Sequence, residues 1–137
     1  MPHLILDHSA NLDDADIGGL CAALAAVLRA QRADGKAVYP VGGIRVRAFS
    51  AARYCIADGS DRADAYLHAT LKLGAGRSEA TVAATCEALF DAIKSHLADR
   101  FERHGLALSL EVAEFSEAGT MKHNNLHVRL RERAARD

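Results

Sequence analysis

The hydrophobic positions of this chain follow two rhythms, one of two residues and one of three to four. Pro2 to Asp7 reads as a short strand, PHLILD. From Asp13 to about Arg32, Ile17, Leu20, Leu24, Val27 and Leu28 recur at helical spacing, with Gly18-Gly19 weakening the first turn. Ala33-Asp34-Gly35-Lys36 ends that helix, with Gly35 as the stop. Val41 to Ser50 reads as a second strand, Ile44, Val46 and Ala48 on one face and Arg45, Arg47 and Phe49 on the other. Ala57 to Asp61 is a turn-rich break.

The same order then returns. Ala65 to Leu73 alternates apolar residues with Tyr66, His68, Thr70 and Lys72. After Gly74-Ala75-Gly76-Arg77, Ser78 is a suitable N-cap for a long helix whose stripe runs from Val82 to Phe101. His104-Gly105 closes it, and Leu106 to Phe115 reads as a strand. A loop holding Lys122 to Asn125 leads to a short last strand, Leu126 to Leu130, and a charged, frayed end, Glu132 to Asp137.

The pattern predicts an α+β fold of two tandem β-α-β units in one domain, about 2–60 and 61–130, with a charged tail at 132–137. Right-handed crossovers make the strands within each unit parallel and put both helices on one face of a four-stranded sheet. The other face carries His68, Thr70, Lys72, Ser109 and Glu111, and nothing in the sequence covers it. That face is either wet or buried against copies of itself, and a closed homo-oligomer is the preferred solution.

Composition narrows the picture. A chain of 137 residues with 50% hydrophobic residues can bury one core. Trp is absent and aromatics are 5%, so that core is aliphatic. The 17 Lys and Arg against 18 Asp and Glu argue against nucleic-acid binding by bulk charge, though a few Arg can still converge on a small polyanion. Cys21, Cys55 and Cys86 are widely spaced and read as buried or partly buried thiols in a reducing cytosol. No 18-residue apolar run or basic-then-apolar leader occurs, so no membrane partner, no signal peptide and a cytoplasmic location are expected.

Pro2 raises the chemical question. Proline has no N–H for a sheet and is tolerated at a strand's first position, which is the bland reading. If the initiator Met is removed, Pro2 carries a free secondary amine held at the start of a strand. A neutral amine in an apolar site can act as a base. The seven His form no metal-binding pattern, and His3 and His8 read as packed or surface residues. Asn124-Asn125 reads as a turn or a subunit contact, and Arg129, Arg131, Arg133 and Arg136 as a solvated basic tail.

Four segments in order, PHLILDHSANL, GGIRVRA, LHATLKLGAGRS and KHNNLHVRL, resemble the 5-carboxymethyl-2-hydroxymuconate delta-isomerases of the tautomerase superfamily. The resemblance runs from about Pro2 to Leu130. It implies a trimer built like a fused pair of short tautomerase subunits, an amino-terminal proline as general base, and no metal or organic cofactor. It implies a carboxylated dienol substrate such as 5-carboxymethyl-2-hydroxymuconate, isomerised to its 2-oxo form in catabolism of aromatic compounds such as homoprotocatechuate. By the same resemblance Arg77, at the strand-to-helix turn, and Arg45, in the strand after the first helix, bind substrate carboxylates. Arg47 is a weaker candidate for that work.

Two other readings stay open. One is different N-terminal-proline chemistry on the same scaffold, as decarboxylase, hydratase or dehalogenase, with Asp7 or Glu111 activating water. The other is a non-catalytic α/β binding module in which Pro2 is merely tolerated.

Overall fold

The computed structural model describes residues 1–137. Four strands form one mixed sheet in the order β4-β1-β5-β6: β1 His3–Ser9, β4 Arg45–Ala51, β5 Ala65–Gly74 and β6 Leu106–Phe115. β1 runs parallel to β4, β5 parallel to β6, and β1 antiparallel to β5 at the centre. Each parallel pair is joined through a helix, α1 Ile17–Ala30 or α2 Glu79–His96, so the two tandem β-α-β units are present.

The period-two positions decide which face is covered. Leu4 and Leu6 of β1 and Leu67, Leu71 and Leu73 of β5 are buried beneath Leu20, Leu24 and Leu28 of α1 and Leu89 and Ile93 of α2. Each such side chain contributes about 1.5–3 kcal/mol by leaving water, so a leucine-rich core compensates for the absent tryptophan. One aromatic joins it: Tyr39 is buried, and its hydroxyl meets Thr85 Oγ1 of α2 at 2.9 Å. Leaving either hydroxyl alone in that core would cost about 1–3 kcal/mol.

The helix boundaries differ from the sequence pattern in instructive ways. The first helix begins at Ile17, not Asp13, because Asp16 caps it by accepting from the Gly19 N–H at 3.0 Å. It ends at Ala30, and Arg32–Ala33 (β2) pairs with Lys36–Ala37 (β3) around Asp34-Gly35. Both turn residues have positive φ, 51° and 74°, the geometry of a tight hairpin turn that favours Asp-Gly. Ser78 caps α2 as expected, accepting from the Thr81 N–H at 3.2 Å. The long second helix breaks at Leu97, so its end is a separate turn, α3 Ala98–Arg103. A single 3-10 turn, Val41–Gly43, precedes β4, which therefore begins at Arg45 and not Val41.

The last strand expected at Leu126 to Leu130 is instead a helix, α4 Leu126–Ala134, which also takes in the start of the tail. Leu126, Val128 and Leu130 alternate as a strand would, but His127 and Leu130, three apart, are the half-buried pair. Asn124 Oδ1 accepts from the Leu126 N–H at 2.7 Å and starts the turn. The Arg, Leu, Glu and Ala that follow favour its continuation.

The thiol reading also needs one correction. Cys21 and Cys86 are half-buried, and burial raises both thiols, whereas Cys55 is exposed in the loop before β5. No helix is long and apolar enough to cross a membrane.

Candidate active site

The register puts His3, Arg45 and Lys72 side by side at one end of the open face, since His3 is opposite both Arg45 and Lys72. Pro2 lies just before this row and is buried. Its carbonyl accepts from the Arg45 N–H at 3.0 Å, which fixes the ring at the head of β1. Met1 leans against Gly43 and lines a cavity of about 300 Å³ with His3, Arg47, Lys72, Phe115 and Thr120. A larger cavity, about 420 Å³ between α2, α3 and β6, is walled mainly by Phe90, Phe101, Leu106 and Leu108 and lies away from the charged groups at the head of β1.

The amino group of Met1 stands in cationic surroundings. It is held below its ordinary value, first by burial, then by Arg77, Lys122 and Arg45, while Glu117 pulls the other way. Like charges and poor solvation both disfavour the ammonium form, so this end of β1 suits a neutral amine.

Two of the sequence-predicted arginines meet there. Arg77 follows Gly74 at the end of β5, and its Nη1 donates back to the Gly74 carbonyl at 3.1 Å. Its guanidinium lies over the Tyr39 ring, 4.9 Å from the centroid. Tyr39 is itself held by Thr85, so α2 sets the position of Arg77 through a buried phenol. Arg45 Nη1 donates to the carbonyls of Gly42 and Ile44 at 3.0 and 3.2 Å. Asn124 Nδ2 donates to that same Gly42 carbonyl at 3.0 Å, and the His127 ring rests on Gly42. The C-terminal segment therefore braces the turn that carries Arg45.

Arg47 stands one step further along β4. It lines the cavity, and its Nη1 lies 3.3 Å from His3 Nδ1. His3 is held below its ordinary value by burial first, and by Arg47 and Arg45 next, all of which disfavour the protonated ring. Asp7 and Glu111, the candidates for activating water, are engaged elsewhere. Tyr66 donates to Asp7 at 2.6 Å, an interaction that pushes the phenol up to about 12. Glu111 meets His68 Nε2 at 3.1 Å. Asp7 is four residues along β1 from His3, about 13 Å at the usual strand rise.

Lys122, Glu117 and Phe115 escaped the sequence reading. Lys122 and Asn124 stand in the KHNN segment, where the polar run reads as a turn; only the folded chain brings it back over the head of β1. Leu4, Leu67 and Phe49 do not wall the head of β1. The two leucines are in the core beneath the sheet, and Phe49 lies exposed opposite Asp7. Phe115 takes that place beside Met1.

Two tandem β-α-β units that share one mixed four-stranded sheet define a tautomerase-like fold. The fold recurs in a structure described as a fused 4-OT wild-type symmetric trimer, at TM-score 0.52 and 19% identity over 88% of this chain and 94% of that one. The chain belongs to the 5-carboxymethyl-2-hydroxymuconate isomerase family, whose model matches residues 2–130. It is similar to the 5-carboxymethyl-2-hydroxymuconate Delta-isomerase of Escherichia coli, 38% identical over 93% of this chain and 97% of that protein. It is also similar to a crystal structure of a 5-carboxymethyl-2-hydroxymuconate isomerase from Deinococcus radiodurans R1, with 46% identity and TM-score 0.86 over 94% of this chain and 93% of that one.

Proposed function

We propose that this isomerase converts a carboxylated dienol, 5-carboxymethyl-2-hydroxymuconate, to its 2-oxo isomer, with the amine of Pro2 as general base once Met1 is removed. The observation that carries this reading is the partly buried amino group of Met1, one residue ahead of Pro2, which feels Arg77, Lys122 and Arg45. Removing Met1 moves the amine by one residue, about 3.8 Å, to the ring already fixed at the head of β1. The secondary amine takes the proton of the 2-hydroxyl. The electron pair moves through the diene, and the same nitrogen returns the proton to a carbon of that diene. No cofactor enters the step.

Arg77, Arg45 and, more weakly placed, Arg47 hold the carboxylates. A guanidinium pairs a carboxylate through two parallel N–H donors and draws electron density from the diene as the oxygen gains charge. Such a substrate arises in catabolism of aromatic compounds such as homoprotocatechuate, which fits a cytoplasmic enzyme. An ultraviolet assay following loss of the dienol chromophore tests the reading. Native protein ketonises 5-carboxymethyl-2-hydroxymuconate far above the buffer rate; a rate equal to buffer would refute it.

The open sheet face supports a homotrimer. Phe49 on that face is 57% exposed, beside the Tyr66–Asp7 and His68–Glu111 pairs and the unpaired edges of β4 and β6. Closing three copies around it covers the face and both edges. Light scattering on micromolar protein should give three times the chain mass of 14.7 kDa, about 44 kDa. A stable monomer would refute the trimer.

A further inference from the structure

The loop after β6 brings a carboxylate into a place where the site otherwise gathers cations. Glu117 Oε2 accepts from Lys122 Nζ at 2.7 Å. The Glu117 carboxylate rests on Gly74, where any side chain would collide with it. Arg77 donates to the carbonyl of that same Gly74. The chain's amino group and Arg77 both add to the hold of Lys122 on this carboxyl, which stays below its usual range. One carboxylate is thus paired with the Lys122 ammonium and also feels the charges of Arg77 and of the chain's amino group.

The loop sets this arrangement with its own bonds. The Gly119 N–H and Thr120 Oγ1 donate to the Ser116 carbonyl at 3.2 and 2.6 Å, and the Thr120 N–H donates to the Glu117 carbonyl at 3.2 Å. The turn puts Lys122 and Glu117 on one side of it. Neither side chain is locked in the core: they are 34% and 56% exposed. An ion pair this open is worth little by itself and can exchange partners.

We propose that Lys122 is a third carboxylate anchor of the site, and that Glu117 is an internal stand-in that occupies its seat until a substrate carboxylate displaces it. This rests on the dienol reading above. The substrate named there carries three carboxylates; Arg77 and Arg45 account for two, and Arg47, whose Nη1 faces His3 Nδ1 at 3.3 Å, is the more weakly placed rival of Lys122 for the third. The stand-in keeps the cations from repelling one another in the empty site. It also makes binding an exchange: a ligand with a third carboxylate releases Glu117, whereas one with only two leaves the pair closed. The pair is therefore a specificity device for tricarboxylates.

Lys122→Met and Glu117→Gln test this, each first shown by circular dichroism to be folded. Two dienols are compared, 5-carboxymethyl-2-hydroxymuconate with three carboxylates and 2-hydroxymuconate with two. Lys122→Met should lose at least tenfold more kcat/KM on the first than on the second, mainly through KM. Glu117→Gln should lower KM for the tricarboxylate severalfold, and should add nothing when Lys122 is already Met. Equal losses on both dienols, or an unchanged or raised KM in Glu117→Gln, would overturn the proposal. If native protein turns over neither dienol, the dienol reading falls, and the anchor is judged by calorimetry with propane-1,2,3-tricarboxylate. Binding weakened by Lys122→Met and strengthened by Glu117→Gln sustains the anchor, and binding unchanged in both refutes it.

Discussion

A chain with one alanine inserted between Met1 and Pro2 should fold and assemble normally, yet lose ketonisation by about 10³-fold, the usual contribution of a positioned general base. The insertion keeps the proline ring and its place at the head of β1. It converts the nitrogen to a tertiary amide, which has no basic lone pair. The Pro2 carbonyl still accepts from the Arg45 N–H, so the strand entry is unchanged. Pro2→Ala probes the other side. It leaves a free amine, primary and less constrained, and should retain weak activity. If the inserted chain is folded and ketonises the dienol at the native rate, the proline nitrogen is not the base.

The pH dependence follows from the same environment. The base must be neutral to accept a proton, so kcat/KM is at its plateau above the amine pKa and falls tenfold per pH unit below it. Burial first, and Arg77, Lys122 and Arg45 next, hold the amino group of Met1, one residue ahead of Pro2, below its ordinary value. The falling limb of the native enzyme should therefore lie at lower pH than an exposed prolyl amine would give.

Much of this arrangement was legible in the sequence because it depends on local periods. The alternation in Ala65 to Leu73 and the helical spacing of the apolar stripe that holds Leu89 and Ile93 along α2 follow from backbone geometry alone. Arg77 stood out because glycines flank a strand end and Ser78 opens a helix. Tyr39 and Lys122 were silent for the opposite reason. Tyr39 stands 38 positions before Arg77, and the stacking between them exists only after β5 and α2 have packed. Lys122 and Asn124 reach the head of β1 because α4 is a helix seated on Gly42. A strand there, as the alternation of Leu126, Val128 and Leu130 suggested, would have separated the KHNN segment from the site. One wrong period thus hid Lys122 of the proposed binding cluster and the Asn124 that braces the Arg45 turn.

Arg77→Ala should leave the fold in place and lower kcat/KM by roughly 2–4 kcal/mol of transition-state stabilisation, the scale of a lost charge-assisted contact. The side chain is half-exposed, and its loss removes a stacking contact with Tyr39 worth about 0.5–2 kcal/mol, a small change for the core beneath. Its value to the reaction lies in being aimed before substrate arrives. The Gly74 carbonyl holds one nitrogen, and the Tyr39 ring, pinned by Thr85, fixes the plane of the guanidinium. Substrate then meets an oriented fork and does not have to order a mobile one. The substitution also takes a cation away from the amine. With less repulsion the ammonium form is easier to reach, the amine pKa rises, and the acid limb of kcat/KM moves to higher pH. Arg77→Lys separates the two effects. It restores the charge, so the limb should return towards the native position, but a lysine cannot pair a carboxylate through two parallel donors, so KM should stay high. Profiles of kcat/KM against pH for native protein and both variants read this directly. Native kinetics in Arg77→Ala would place the carboxylate contact elsewhere, and an unmoved limb would show that the working amine does not feel this guanidinium.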